Sequence, residues 1–201
     1  PADIPVPKPD NWDIVREAQA RALSLPDTGM AVAFDVGGGL HPTDKLDVGE
    51  RLARVARRLA YGEATLRASG PAFESAKAEG GLFRLSFRKE GGTPLLGASP
   101  LPAAAAVQPK DRLAGFVVAG ADKAWHEAVA RIEGESVVLS SPEVPAPVAA
   151  RYGWGNGFYD ATCNLYNAEG LPAAPFRTDA WDDFVPANAR LNGRIFPTDW
   201  P

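Results

Sequence analysis

Apolar positions recur along this chain in two rhythms, a helical one up to about residue 62 and a shorter, strand-like one beyond residue 80. In the first stretch Trp12, Val15, Ala18, Ala22 and Leu23 fall on one side of a helix. Asn11 is placed to cap it, Asp13 lies in its first turn near the positive helix end, and Pro26 stops it. Asp27-Thr28-Gly29 then turns the chain into an unbroken apolar run, Met30 to Phe34, which reads as a buried strand. Asp35 closes that run, Gly37-Gly38-Gly39 and His41-Pro42 follow, and Leu46, Val48, Leu52, Val55 and Leu59 predict a second helix from about Leu46 to Tyr61, closed by Gly62. The order α–β–α is that of the closing part of a wound α/β domain.

After Gly70-Pro71 the rhythm shortens. The runs 81–87, 113–119 and 136–140 predict strands, and Gly91-Gly92, Gly120-Ala121-Asp122 and Glu133-Gly134-Glu135 are turn material. The alanine- and proline-rich stretch 95–109 reads as a long connection, and the proline-rich residues 1–10 as an extended entry segment. From Arg151 aromatics, glycines and asparagines crowd together without periodicity, as in a surface segment braced by other elements. Three regions are therefore expected: 1–65 as part of an α/β domain, 66–150 as a small all-β unit, and 151–201 as a segment that returns to the first region.

Composition narrows the function classes. A chain of 201 residues with 45% hydrophobic and 23% charged residues is long enough to bury a sizeable core. A formal net charge of -4 gives no basic stripe for a nucleic acid. No apolar run approaches the roughly 20 residues that cross a bilayer, so no membrane partner is expected. One cysteine, Cys163, and two histidines, His41 and His126, cannot supply a conventional structural zinc site, and no EF-hand spacing is present. No metal or organic cofactor is expected. The chain opens at Pro1, its only methionine being Met30, so a processed, engineered or partial product is expected.

The candidate chemistry centres on His41. An acid at a strand end, a flexible loop and a histidine just before a helix are how α/β hydrolytic enzymes often present an acid–base pair. His41 suits a general base that activates a serine hydroxyl, and equally a residue that bonds the loop to the following helix. Asp35 suits the acid that orients His41, and equally a strand-end carboxylate bonded to loop N–H groups. Asp44 and Asp47 read as helix-start charges, Glu50 and Arg51 as a solvated or loop-bracing pair, and Arg177 as an ion-pair partner or a substrate clamp. Trp154 and Tyr152 have aromatic faces suited to a sugar ring, or to packing beneath a loop. None of the serines occupies Gly-x-Ser-x-Gly or a comparable esterase setting, and nothing beside Cys163 favours a thiolate.

The ordered blocks Gly29-Met30-Ala31-Val32, Asp35-Val36-Gly37, His41-Pro42-Thr43-Asp44-Lys45, Val48-Gly49-Glu50-Arg51-Leu52-Ala53 and Tyr61-Gly62 resemble the C-terminal part of sialate O-acetylesterase-like proteins. These are SGNH-type hydrolases, some of which act on plant polysaccharides. The resemblance continues through Gly70-Pro71, Gly115-Phe116, Gly120-Ala121-Asp122, Arg151-Tyr152-Gly153-Trp154, Asn164-Leu165-Tyr166-Asn167 and Gly170-Leu171-Pro172 to Pro175-Phe176-Arg177, and covers about residues 11–181. It implies an α/β fold: the end of a flavodoxin-like three-layer SGNH hydrolase domain followed by a small all-β accessory unit. It also implies that His41 is the catalytic histidine, and that the serine and oxyanion-hole residues lie upstream in an N-terminal portion of the same protein. This chain alone would then be inactive. An acetylated carbohydrate such as a sialic acid or xylan is the implied substrate, and a periplasmic or secreted location the implied setting. In one respect the sequence departs from the pattern: where many SGNH hydrolases have Asp-x-x-His, the position three before His41 is Gly38. Asp35, six residues back, is then the expected acid, with a backbone carbonyl behind His41 as the alternative. The reading from another class is a non-catalytic carbohydrate-binding β module.

Overall fold

The computed structural model describes residues 12–36, 45–88, 95–96, 112–154 and 163–181. Helix α1, Trp12–Arg21, starts where the stripe predicts, carries Asp13 in its first turn, and passes through a single 3-10 turn, Ala22–Ser24, before Pro26. The Asn11 cap lies outside the described residues. Helix α2, Leu46–Leu59, also falls where its periodicity places it, and Gly62 follows with φ 75°, the left-handed conformation that ends helices.

Between the helices the sequence expectation fails in one respect. Residues 30–33 form no strand and 34–36 make a turn. A strand needs a neighbour to take its backbone N–H and C=O groups, and none of the described sheets contains this segment. It lies instead along α2, so closely that a Cβ on Gly29 would stand 2.2 Å from Val55 Cγ1. Phe34, Asp35 and Val36 are nevertheless buried.

The rest is antiparallel sheet. Strands β1 (Ala72–Glu79), β2 (Leu82–Arg88), β7 (Ser136–Ser140) and β6 (Val129–Glu133) form one four-stranded sheet in the order β1-β2-β7-β6. Strands β10 (Phe176–Arg177), β8 (Ala149–Tyr152), β4 (Phe116–Ala119) and β5 (Trp125–Glu127) form a second, in the order β10-β8-β4-β5. A short pair joins β3 (Leu95–Leu96) to β9 (Leu165–Tyr166). The central strands β4 and β7 are buried on both faces, which is why they read as unbroken apolar runs. Strand β2 alternates, with Phe83, Leu85 and Phe87 turned into the core.

Both sheets contribute to a single core. Leu85, Val137 and Leu139 from the first meet Phe116, Val118, Ala150 and Tyr152 from the second, and Phe34 joins them from the segment before α2. Aromatic contacts hold this junction: Phe34 stands edge-on to Tyr152 at 6.4 Å between ring centroids, and Phe116 tilts against the same ring at 4.6 Å. Strand β8 runs across residue 150, so residues on both sides of that position share one sheet.

Candidate active site

Asp35 is held by a buried arginine and a tyrosine hydroxyl. Arg51 grips its carboxylate with both prongs of the guanidinium, Nη1 donating to Oδ1 at 2.6 Å and Nη2 to Oδ2 at 2.9 Å. The same Nη1 donates to the Val32 carbonyl at 2.6 Å, which fixes the apolar segment as well as its terminal acid. From 131 residues further on, the Tyr166 hydroxyl donates to Asp35 Oδ2 at 2.9 Å. All three side chains are excluded from water, with Asp35 and Arg51 each 2% exposed and Tyr166 1%. A buried guanidinium without a carboxylate would be costly to desolvate, so the bidentate pair accounts for Arg51 sitting inside rather than on a solvated helix face.

Local sequence explains how the three meet. Arg51 lies one turn after Asp47 on the side of α2 that faces the protein, with Val48 and Val55 beside it; Asp47 is buried too. Asp35 ends the segment packed on that side. Tyr166 is presented by β9, and the asparagines around it stitch the chain in place. Asn164 accepts the Ala114 N–H with its Oδ1 at 2.9 Å and donates to the Arg112 carbonyl at 2.7 Å. Asn167 Oδ1 accepts the N–H groups of Glu169 and Leu171, and its Nδ2 donates to the Ser69 carbonyl. Neither Arg51 nor Tyr166 stood out in the sequence as a partner of Asp35. Arg51 left a faint signal, a cation at helix spacing from Asp47 on a side shared with valines; a contact across 131 residues leaves none.

His41 lies outside the described residues, as do the three glycines before it. What the structure gives are its flanks: Asp35 stands six positions before it and Arg51 ten positions after, and the two are joined by the ion pair. The other histidine, His126, sits half-buried on β5 opposite Val118. Cys163 is buried in the core, its sulfur against Gly115, where a Cβ would come within 2.3 Å. Among the described residues no group of three or more His, Cys, Asp and Glu side chains is set to hold a metal ion.

The two aromatic residues expected near a sugar part company. Tyr152 is a core residue, its ring packed by Phe34, Phe116 and Phe176, and its hydroxyl accepting the Leu165 N–H at 3.0 Å. Burial pushes its hydroxyl pKa well above the ordinary value. A ring so enclosed has no face left for a sugar. Trp154 is half-buried, at the edge of a cluster in which Arg151 Cζ lies 4.2 Å from the centroid of Trp125 and 5.4 Å from that of Trp154. Arg177 is an ion-pair partner, its guanidinium bound bidentately to Glu17 of α1 at 2.9 and 3.1 Å. Its Cζ stands 5.5 Å from the centroid of Trp154.

No family model matches the chain. It is 31% identical over 166 residues to the sialate O-acetylesterase of Pongo abelii and, to the same extent, to that of Homo sapiens. Each match covers 76% of this chain and 29% of the relative, so the chain spans under a third of their length. Among solved structures, a carbohydrate acetylesterase from Xanthomonas citri superimposes with a TM-score of 0.73 at 42% identity, covering 85% of this chain and 37% of that one. The sequence matches, and a fold shared with a carbohydrate acetylesterase at that identity, place the chain in the sialate O-acetylesterase-like family.

Proposed function

We propose that these 201 residues are the C-terminal portion of a serine-dependent carbohydrate O-acetylesterase. The observation that carries this reading is the joint agreement in sequence and fold with a carbohydrate acetylesterase over most of the chain. Residues 1–65 complete an SGNH α/β domain whose N-terminal portion carries the serine. The β unit of 66–150, continued by the returning segment 151–181, is its accessory part. The exposed leucines of α2, described below, support a missing neighbour of this kind.

In this reading His41 takes the proton of the upstream serine as its oxygen attacks the acetyl carbonyl. Collapse of the tetrahedral intermediate breaks the ester bond, and His41 returns the proton to the departing sugar oxygen. Water, deprotonated by the same imidazole, then attacks the acetyl-serine and releases acetate. Asp35 is the acid behind His41, with Trp154 facing the sugar and Tyr152 supporting it from the core. No metal or organic cofactor enters any step. The protein works in the periplasm or outside the cell, on acetylated sialic acid or on a plant polysaccharide such as xylan.

The test is acetate release from O-acetylated sialic acid and from acetylated xylan by the longer protein, with the His41→Ala variant alongside. Hydrolysis of either substrate, reduced at least about a thousandfold in the variant, is the expected result. Unchanged hydrolysis in the variant would remove His41 from the chemistry. Retention on acetylated xylan without any release of acetate would favour a carbohydrate-binding module instead.

A further inference from the structure

We propose that residues 30–34 are a strand completed by a partner: a parallel β-strand of the protein's upstream portion pairs with their open edge. This rests on the function proposed above, which supplies that portion. Residues 28–33 run without turn, bend or helix, so local structure does not use up their peptide groups. Two carbonyls are taken. The Val32 C=O accepts Arg51 Nη1 at 2.6 Å, and the Ala33 C=O accepts the Val36 N–H at 3.3 Å. Among the described residues nothing accepts the N–H groups of Met30, Ala31, Val32 and Ala33. In an extended run the N–H and C=O of one residue point the same way, and those of the next point the opposite way. Arg51 therefore caps the Val32 edge, and the other edge presents Ala31 N–H, Ala31 C=O and Ala33 N–H. A donor, an acceptor and a donor in a row are what an adjoining strand bonds to.

Three observations choose the occupant. The run Met-Ala-Val-Ala-Phe does not alternate. A strand apolar on both sides is one covered on both faces, as in parallel sheets wound with helices. Helix α2 covers one face, with Gly29 against Val55, yet residues 30–33 are only half-buried. The run also lies between α1 and α2 in chain order, and a strand so placed pairs in parallel with its neighbour. A two-fold dimer would instead pair the run with itself antiparallel, where alternating patterns are the rule. Finally, Leu46 and Leu52 of α2 are 65% and 51% exposed, so apolar surface on the same helix is open to the same partner. The chain spans 29% of its curated relatives and 37% of the acetylesterase of like fold, and the unmatched part of those proteins is large enough to hold a sheet.

The experiment is hydrogen exchange of the longer protein, read at single amides by mass spectrometry, together with cross-linking through photo-methionine. Met30 is the only methionine among these 201 residues, so the label places one probe in the run with little change of shape. The amides of Ala31 and Ala33 are expected to exchange at least about a hundredfold more slowly than in an unstructured peptide. Cross-linked peptides containing Met30 are expected to join it to a segment upstream of residue 1 in the same molecule. Exchange of both amides within about tenfold of the unstructured rate would overturn the proposal. So would a cross-link confined to residues 1–201, or one between two molecules, since each names another occupant. If Met30 forms no cross-link, the exchange result at a concentration where the protein is monomeric decides alone. None of these readings uses activity. A longer protein that protects the run but releases no acetate would defeat the esterase reading and leave the strand in place; an active one with unprotected amides would do the reverse.

Discussion

Arg151 shows how a single buried cation organises the end of a sheet. Its guanidinium binds Asp179 bidentately at 2.8 and 2.9 Å and covers the Trp125 ring, with the Asp179 side chain almost wholly enclosed. Burial pushes the Asp179 pKa up, but the hydrogen bond and charge of Arg151 outweigh it, and the carboxyl ends below its ordinary value. A depressed carboxyl pKa stabilises the fold above the unfolded value, near pH 4, and that contribution disappears as pH falls through the folded pKa. Arg151→Met should therefore cost about 1–3 kcal/mol at pH 7, because it leaves the carboxylate with only Arg177 at 3.7 Å and the Trp181 N–H at 3.3 Å. Urea unfolding of the two proteins should show the gap narrowing between pH 5 and pH 3; a gap independent of pH would mean that packing against Trp125, not the ion pair, supplies the effect. The sequence showed the arginine and the acid but not their pairing, since 28 residues and a strand reversal lie between them. Asp35 was legible for the opposite reason: its place at the end of an apolar run is a local fact, whereas its partners are not.

Elements were legible in proportion to how much of their burial pattern is local. Helices α1 and α2 declared themselves by stripes and stop signals, and β2, β4 and β7 by apolar runs. Strand β1 did not, because Ala72–Glu79 is an edge strand whose side chains face mostly solvent. What specifies it is the turn: Gly80 and Gly81 have φ values of 56° and 88°, the doubly left-handed backbone that closes a two-residue hairpin with the strand twist. Nothing lies within 4 Å of a Cβ placed on Gly80, so substitution there reads backbone strain without steric clash. Gly80→Val should destabilise the chain by about 1–2 kcal/mol, and Gly80→Asn by clearly less, as asparagine tolerates the left-handed region. Equal losses in chemical denaturation would show that the hairpin had relaxed to another turn. The unmet expectation of a strand at Met30–Phe34 belongs to this scale too: the apolar run is present, but a strand is defined by its neighbours, and the described sheets offer it none.

At the scale of the whole molecule the apolar surface is unevenly placed. Leu46 is 65% exposed, Leu52 51%, Leu59 46% and Tyr61 77%, all on or just beyond α2, and Val15, Leu23 and Leu25 are exposed around α1. Among the described residues, the other large hydrophobics so open are Val129 and Val148. Helix α2 thus turns its ion-paired side inward while Leu46 and Leu52 stay largely open to solvent; Leu59 is partly covered, its Cδ1 lying against Gly29. Each leucine covered on association would contribute about 1.5–3 kcal/mol. That is a strong incentive for a partner, and the N-terminal portion of the proposed esterase is the one that would sit beside both helices. Leu52→Glu should leave the unfolding midpoint of the 201-residue chain within a few degrees of its original value, while lowering its binding of a hydrophobic dye. In the longer protein the same change should lower stability by about 1.5–3 kcal/mol and reduce esterase activity with it. If it instead destabilises the short chain as much as the long one, Leu52 packs within residues 1–201, and α2 needs no further neighbour.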